Sequence, residues 1–141
     1  MLHYDTSMTD RPNHRGLRHL ALHVHLFDEM KRFYVDLLGF RVEWEPDADS
    51  AYLTSGADNL ALHRSLDHSS ISGIKDTTLD HFGLIVLTPS DVDKWATYLK
   101  SHGVNLSNQP RAHRDGARSF YFHDPDGNQI QIIYHPPISE A

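Results

Sequence analysis

An α+β fold made of two βαβββ halves is the class this sequence predicts, and three observations predict it. The first is an internal echo. Gly16 to Val24 (GLRHLALHV) returns as Thr78 to Val86 (TLDHFGLIV), so a histidine, His19 or His81, opens each of two apolar strand-like runs, 62 residues apart. The second is that the echo outlasts the strands: Tyr34 to Gly39 (YVDLLG) is matched by Tyr98 to Gly103 (YLKSHG) at an offset of 64. The third is size. Each half is about 60 residues, at which a lone module is marginal, so the halves should share a core or a sheet. A duplicated strand–helix unit with one histidine per copy can bring two imidazoles together across a pseudo-twofold axis, and imidazole is the commonest protein ligand for a transition metal.

Residues 1–15 are polar, contain Pro12 and Asn13, and read as an irregular arm before a single domain at 16–141. The first module spans 16–64. From Leu17 to Leu26 the chain alternates, with Leu20, Leu22, Val24 and Leu26 on one face and His19, Ala21, His23 and His25 on the other, which predicts a strand with an apolar back and a histidine-lined front. Asp28 reads as an N-cap, Phe33, Leu37 and Leu38 recur at helical spacing, and Gly39 supplies a stop, so 28–38 is predicted as an amphipathic helix. Phe40 to Glu45, Ala51 to Thr54 and Leu60 to Arg64 follow as short strands separated by turn residues. Residues 65–77, rich in Ser, Asp and Gly, read as a linker. The second module, 78–135, repeats the order: a strand at 79–87, a helix at about 90–102 opening at Ser90, and strands near 104–107, 117–123 and 128–134. Asp124-Pro125-Asp126-Gly127-Asn128 joins the last two. Proline suits the first central position of a type I turn and glycine a following left-handed position, so this segment fixes the register of the strands around it.

Composition narrows the function. Hydrophobic content of 39% and charged content of 23% are globular values, and no apolar run approaches the roughly 20 residues of a membrane span. No secretory or transit signal is apparent at the start of the sequence, so a cytoplasmic location is expected. Cysteine is absent, which leaves nitrogen and oxygen as the only donors for a metal. The net charge of −6 has no basic run longer than Arg111-Ala112-His113-Arg114, so neither a nucleic acid nor a membrane is an expected partner.

The paired halves, the segment FYVDLLGF at 33–40 and the segment RSFYFHDPDGNQIQI at 118–132 resemble the vicinal oxygen chelate superfamily, over about residues 16–135. That superfamily includes glyoxalase I, extradiol dioxygenases, fosfomycin-resistance thiol transferases and bleomycin-resistance proteins. The resemblance implies a cupped mixed sheet with a divalent metal ion (Zn, Ni, Fe or Mn) in the cup. It also implies ligands at a histidine in the first strand of each half and at a residue, usually glutamate, in the last strand. The matching positions here are His19, His81 and Gln131, and His63 is the candidate for a fourth ligand from the last strand of the first half. Structural alternatives remain open for each: strand-start histidines bonded to backbone carbonyls, a hydrogen-bonding role for Gln131, and a polar wall at His63. Gln131 departs from the usual pattern, because an amide oxygen can ligate but an amide cannot act as a base.

The resemblance further matches Ser119 and Tyr121 to phosphonate-binding positions of the fosfomycin thiol transferases, with His113 and Arg114 in the preceding loop able to add donors or positive charge. Tyr121 and Glu43 are the candidates for a catalytic role, Glu43 alternatively facing solvent from a strand edge. The function implied is a metal-dependent enzyme whose small substrate chelates the ion through two adjacent oxygens, with glyoxalase-like lyase or isomerase chemistry ranked first. Thiol transfer, extradiol dioxygenation and metal-free binding of the bleomycin-resistance kind are the alternatives. A homodimer is expected, because Trp44, Tyr52, His25 and His135 are many aromatic and imidazole rings at strand ends for so small a domain.

Overall fold

Alternating apolar side chains in the first strand and a helix that buries one stripe leave each half with a sheet needing cover on one face. The computed structural model describes residues 15–65 and 79–141, so most of the arm at 1–15 and of the linker at 65–77 lies outside the described residues. The first module consists of β1 (His19–Val24), α1 (Phe27–Arg32) continued by a π-turn (Phe33–Leu37), β2 (Arg41–Asp47), β3 (Ser50–Thr54) and β4 (Asn59–Arg64). The second consists of β5 (Phe82–Ile85), α2 (Pro89–Ser101), β6 (Arg111–Ala112), β7 (Arg118–His123) and β8 (Gln129–Tyr134), followed by a short α3 (Pro136–Ser139). Each module makes one four-stranded mixed sheet, in the orders β1-β4-β3-β2 and β5-β8-β7-β6, with a parallel pair at one side and antiparallel pairs beyond it. The sheets are the two copies of one topology. Among the described residues no helix is long and apolar enough to cross a membrane.

The modules share a core, as their size requires. Leu53, Leu60 and Leu62 of the first sheet and Phe120, Phe122, Ile130 and Ile132 of the second are buried in one cluster with Met30, Tyr34 and Leu99 of the helical segments. Phe33 lies 6.3 Å from Phe122, and Tyr34 lies 6.5 Å from Phe82, ring centre to ring centre, so the first helical segment packs onto the second module. The hairpin after β7 forms as its sequence predicts: Gly127 donates to the Asp124 carbonyl at 3.0 Å and takes a φ of +88°. Gly39, at φ +82°, ends the first helical segment.

Several elements differ from the sequence expectation, among them β5, which is shorter than the strand expected at 79–87. Asp28 is not the N-cap of α1; it lies in the first turn, and the cap position is Leu26, with no capping side chain of its own. The entry to α1 is held instead by Asp126 of the other module, which accepts from His25 N at 3.0 Å and Leu26 N at 3.0 Å, the two N–H groups just before the helix. This turns His25 away from the alternation of β1, and its Nδ1 lies 3.7 Å from Asp126. Helix α2 starts at Pro89, one residue earlier than expected, because Thr88 caps it. The strand expected at 104–107 shrinks to one bridge between Leu106 and Phe122. The Asn108 side chain takes the Tyr121 N–H at 2.7 Å, and the antiparallel partner of β7 forms instead at Arg111–Ala112.

Candidate metal centre

Register decides which side chains share a face. In the first sheet His19 is opposite Asn59, Ala21 opposite Ala61 and His23 opposite His63, so these six stand on the face away from the buried Leu60 and Leu62. In the second sheet Gly83 is opposite Gln131 and Gln131 opposite Tyr121, which puts His81, Gln131 and Tyr121 on one face. Gln131 reaches toward β5, and its Oε1 would lie 3.7 Å from a Cβ built at Gly83.

His19 and His81 both line one cleft of about 360 Å³ between the edge strands β1 and β5, together with Asn59, Phe40 and Phe82. Each imidazole has its Nδ1 engaged. His19 Nδ1 is 2.8 Å from Asn59 Oδ1, and His81 Nδ1 is 2.6 Å from Asp80 Oδ2. A carboxylate only accepts, so His81 donates from Nδ1 and keeps an Nε2 lone pair. Its ring is also set edge-on to Tyr121, 5.1 Å between centres.

Gln131 lines a second hollow, of about 400 Å³, with His113, Arg114, Asp115 and His135. Ser119 is buried beside it, its hydroxyl 2.9 Å from His113 Nε2. The structure therefore brings Gln131, His113 and Arg114 together, and His19 and His81 together, with Tyr121 in contact with His81 and paired to Gln131. His63 is not brought to His19. It bonds to Ser50 at 3.1 Å, packs on Tyr52 and His23, and lies four residues along β4 from Asn59, roughly 13 Å at strand rise. Glu43 accepts from Asn59 Nδ2 at 2.8 Å. Asn59 and Asp80 are the two site residues the sequence reading missed. Asp80 had a signal, a carboxylate directly before the histidine, whereas Asn59 becomes visible only when β1 and β4 are paired.

Among the described residues no three histidine, cysteine, aspartate or glutamate side chains gather closely enough to hold a metal ion. A third donor of the chain's own is then an amide, as at Gln131. Two imidazole nitrogens and an amide oxygen suit a borderline divalent ion, and both imidazoles have an acceptor on the remaining nitrogen, as metal-ligating histidines generally do.

The profile of the Glyoxalase/Bleomycin resistance protein/Dioxygenase superfamily matches residues 16–132. The chain belongs to that superfamily. Curated relatives include the metallothiol transferase FosB of Staphylococcus haemolyticus and that of Staphylococcus epidermidis, each 29% identical over 121 residues, or 84% of this chain and 82% of theirs. Among solved structures of the superfamily fold, lactoylglutathione lyase from Agrobacterium tumefaciens superposes with a TM-score of 0.70 at 19% identity, over 87% of this chain and 96% of that one. An integron cassette protein from the mobile metagenome of the Halifax Harbour sewage outfall superposes with a TM-score of 0.70 at 25% identity, over 86% of this chain and 99% of that one.

Proposed function

We propose that this superfamily member is a divalent-metal-dependent enzyme that transfers a thiol to a small anionic substrate presenting two adjacent oxygens. The observation that carries the metal reading is the pair of imidazoles opening on one cleft with Nδ1 engaged in each. His19, His81 and Gln131 are the ligands in this reading, and the ion is one of Zn, Ni, Fe or Mn. The bound ion supplies Lewis acidity toward the substrate oxygens. The chain's own groups bind and orient: Arg114 and His113 beside Gln131 attract the anionic end, and Ser119, bonded to His113, holds that imidazole in place.

Thiol transfer is preferred to the lyase or isomerase chemistry ranked first from sequence, for a reason of proton movement. Isomerisation needs a base next to the reacting carbon. The Gln131 amide cannot be one, and the Glu43 carboxylate is engaged by Asn59. In thiol transfer the sulfur itself attacks: an S–C bond forms as a substrate C–O bond breaks, and the thiol proton ends on the released oxygen, so no C–H bond has to be deprotonated, and the relatives named metallothiol transferases support the same choice. Lyase or isomerase chemistry is the second reading: the resemblance to glyoxalase I, some members of which use a glutamine ligand, favours it, and the missing base speaks against it.

Calorimetric titration of untagged protein with Zn²⁺, Ni²⁺ and Mn²⁺ tests the metal, with His19→Ala and His81→Ala expected to abolish tight binding. Mass spectrometry then separates the reactions. Fosfomycin with a panel of small thiols gives an adduct under thiol transfer, whereas the hemithioacetal of methylglyoxal and glutathione gives a product of unchanged mass under isomerisation. Ligand binding without metal and without either product identifies a sequestering protein and sinks both readings.

We also propose a homodimer. Val42 and Trp44 on β2, and Ile85 and Leu87 at the end of β5, are exposed apolar side chains. A twofold axis can set such an apolar edge against its own copy, the isologous arrangement commonest among homo-oligomers. Sedimentation at micromolar concentration is the check. A single species at 16.1 kDa rejects the dimer.

A further inference from the structure

The Glu43 carboxylate accepts hydrogen bonds and cannot donate. With Oε2 2.8 Å from Asn59 Nδ2, it fixes the orientation of the Asn59 amide: the NH₂ group toward Glu43 and Oδ1 toward His19. Oδ1 also only accepts, so the His19 proton is on Nδ1 and the lone pair is on Nε2. We infer that Glu43 and Asn59 are positioning residues, a relay across β2, β4 and β1 that sets the tautomer and ring orientation of His19 so that Nε2 is its donor atom. Second partners of this kind orient and tune ligating histidines. The second module reaches the same end in one step, from Asp80 to His81. Glu43 thus acts through two other residues and is not itself a reacting group. The purpose given to the relay rests on the metal reading above, while the tautomer itself does not.

The two are separable by experiment. Nitrogen-15 NMR of the metal-free protein at about pH 8.5, above the ordinary imidazole range, reads the tautomer of each histidine. Wild-type His19 is expected to be predominantly Nδ1–H. Glu43→Gln frees the amide to flip and should give a mixture, and Asn59→Leu should shift His19 toward Nε2–H. The double variant Glu43→Gln with Asn59→Asp rebuilds the relay with its polarity preserved, Gln donating and Asp accepting, and should restore Nδ1–H. His81 should be unmoved in all of them. Zn²⁺ affinity should fall by about 10- to 100-fold in Asn59→Leu, less in Glu43→Gln, and recover in the double variant. A wild-type His19 that is Nε2–H, or a tautomer indifferent to all three variants, overturns the relay, and the Glu43→Gln pair decides it even if Asn59→Leu fails to fold. A tautomer that follows the variants in a protein with no Zn²⁺ affinity leaves the relay standing and overturns the metal-dependent function.

Discussion

Helix α2 begins on its own residues. Thr88 accepts from Asp91 N through its side chain, Asp91 accepts from Thr88 N, and Pro89 occupies the first helical position, where its missing N–H costs nothing. Helix α1 has none of this. Asp126 from the opposite module instead holds the N–H groups of His25 and Leu26 at its entry, and after six residues the helix loosens into a π-turn in which Leu38 N bonds to Phe33 O, five residues back. The same division recurs in the site, where His81 is oriented by the adjacent Asp80 and His19 by residues of two other strands. Helix capping and imidazole orientation are thus local in the second module and come from tertiary contacts in the first. A duplicated topology is therefore held by different means in its two copies.

The largest expected effect breaks that dependence. Asp126 is fully buried, and its carboxylate serves the N–H groups of His25 and Leu26. Asp126→Ala leaves these donors without their acceptor and should cost about 3 kcal/mol, two hydrogen bonds to a buried charged group. Urea denaturation measures it. If the first module held its own helix, the loss would be no larger than that of an exposed cap.

Next in size is Tyr34→Phe, which removes a second tie between the modules. Tyr34 donates to Asp124 at 2.8 Å, and burial together with that neighbouring carboxylate pushes the phenol well above its usual range, so it remains a donor. The substitution should cost about 1.5 kcal/mol at neutral pH. Burial raises the Asp124 carboxyl above its ordinary 3.8, opposed by hydrogen bonds from Asn128 and Tyr34. The folded chain then holds this proton more tightly than the unfolded chain. The Asp124 contribution favours folding below 3.8 and is lost as pH rises through the folded value. Removing Tyr34 OH takes away a group that favours the ionised form, so the difference between variant and wild type should be widest at neutral pH and narrow on acidification. Urea midpoints across that range check the direction, and a constant difference would show that Asp124 is not the partner that matters.

Thr88→Ala tests the locally capped helix. Its cap is local and exposed, and the loss should be about 1 kcal/mol, clearly smaller than for Asp126→Ala. Equal losses would erase the contrast between the two helices.

This division also explains what could be read from the sequence. The order of elements, the two histidines and the Asp124–Asn128 hairpin were legible because each rests on short-range patterns: alternation, a repeated segment, a turn with Pro125 and Gly127. The entry to α1 was not, because the carboxylate that holds it is about 100 residues away and Asp28 offered a plausible local N-cap. The strand at 104–107 was misplaced because alternation cannot show that the Asn108 side chain takes the Tyr121 N–H a strand carbonyl would have taken. In the site, Glu43 was singled out as a carboxylate, but its link to His19 passes through Asn59, and parallel pairing of β1 with β4 has no short-range signature.

The smallest expected effect on stability comes from a position at which the two sheets differ. Ala61 stands opposite Ala21 in the first sheet, and Gln131 stands opposite Gly83 at the matching place in the second. Only the second copy thus offers a third donor, beside His81, and that donor is neutral. Gln131→Glu keeps the size of a half-buried side chain and should leave the urea midpoint nearly unchanged. It places a negative charge where two neutral imidazoles and an amide would otherwise face a divalent ion, so Zn²⁺ affinity should rise by on the order of tenfold, about 1.4 kcal/mol. It also supplies the base that the amide lacks, so isomerase activity, if it appears anywhere, should appear in this variant. Unchanged Zn²⁺ affinity in a folded Gln131→Glu protein would place position 131 outside the ligand set. The second module would then contribute only His81, as the first contributes only His19.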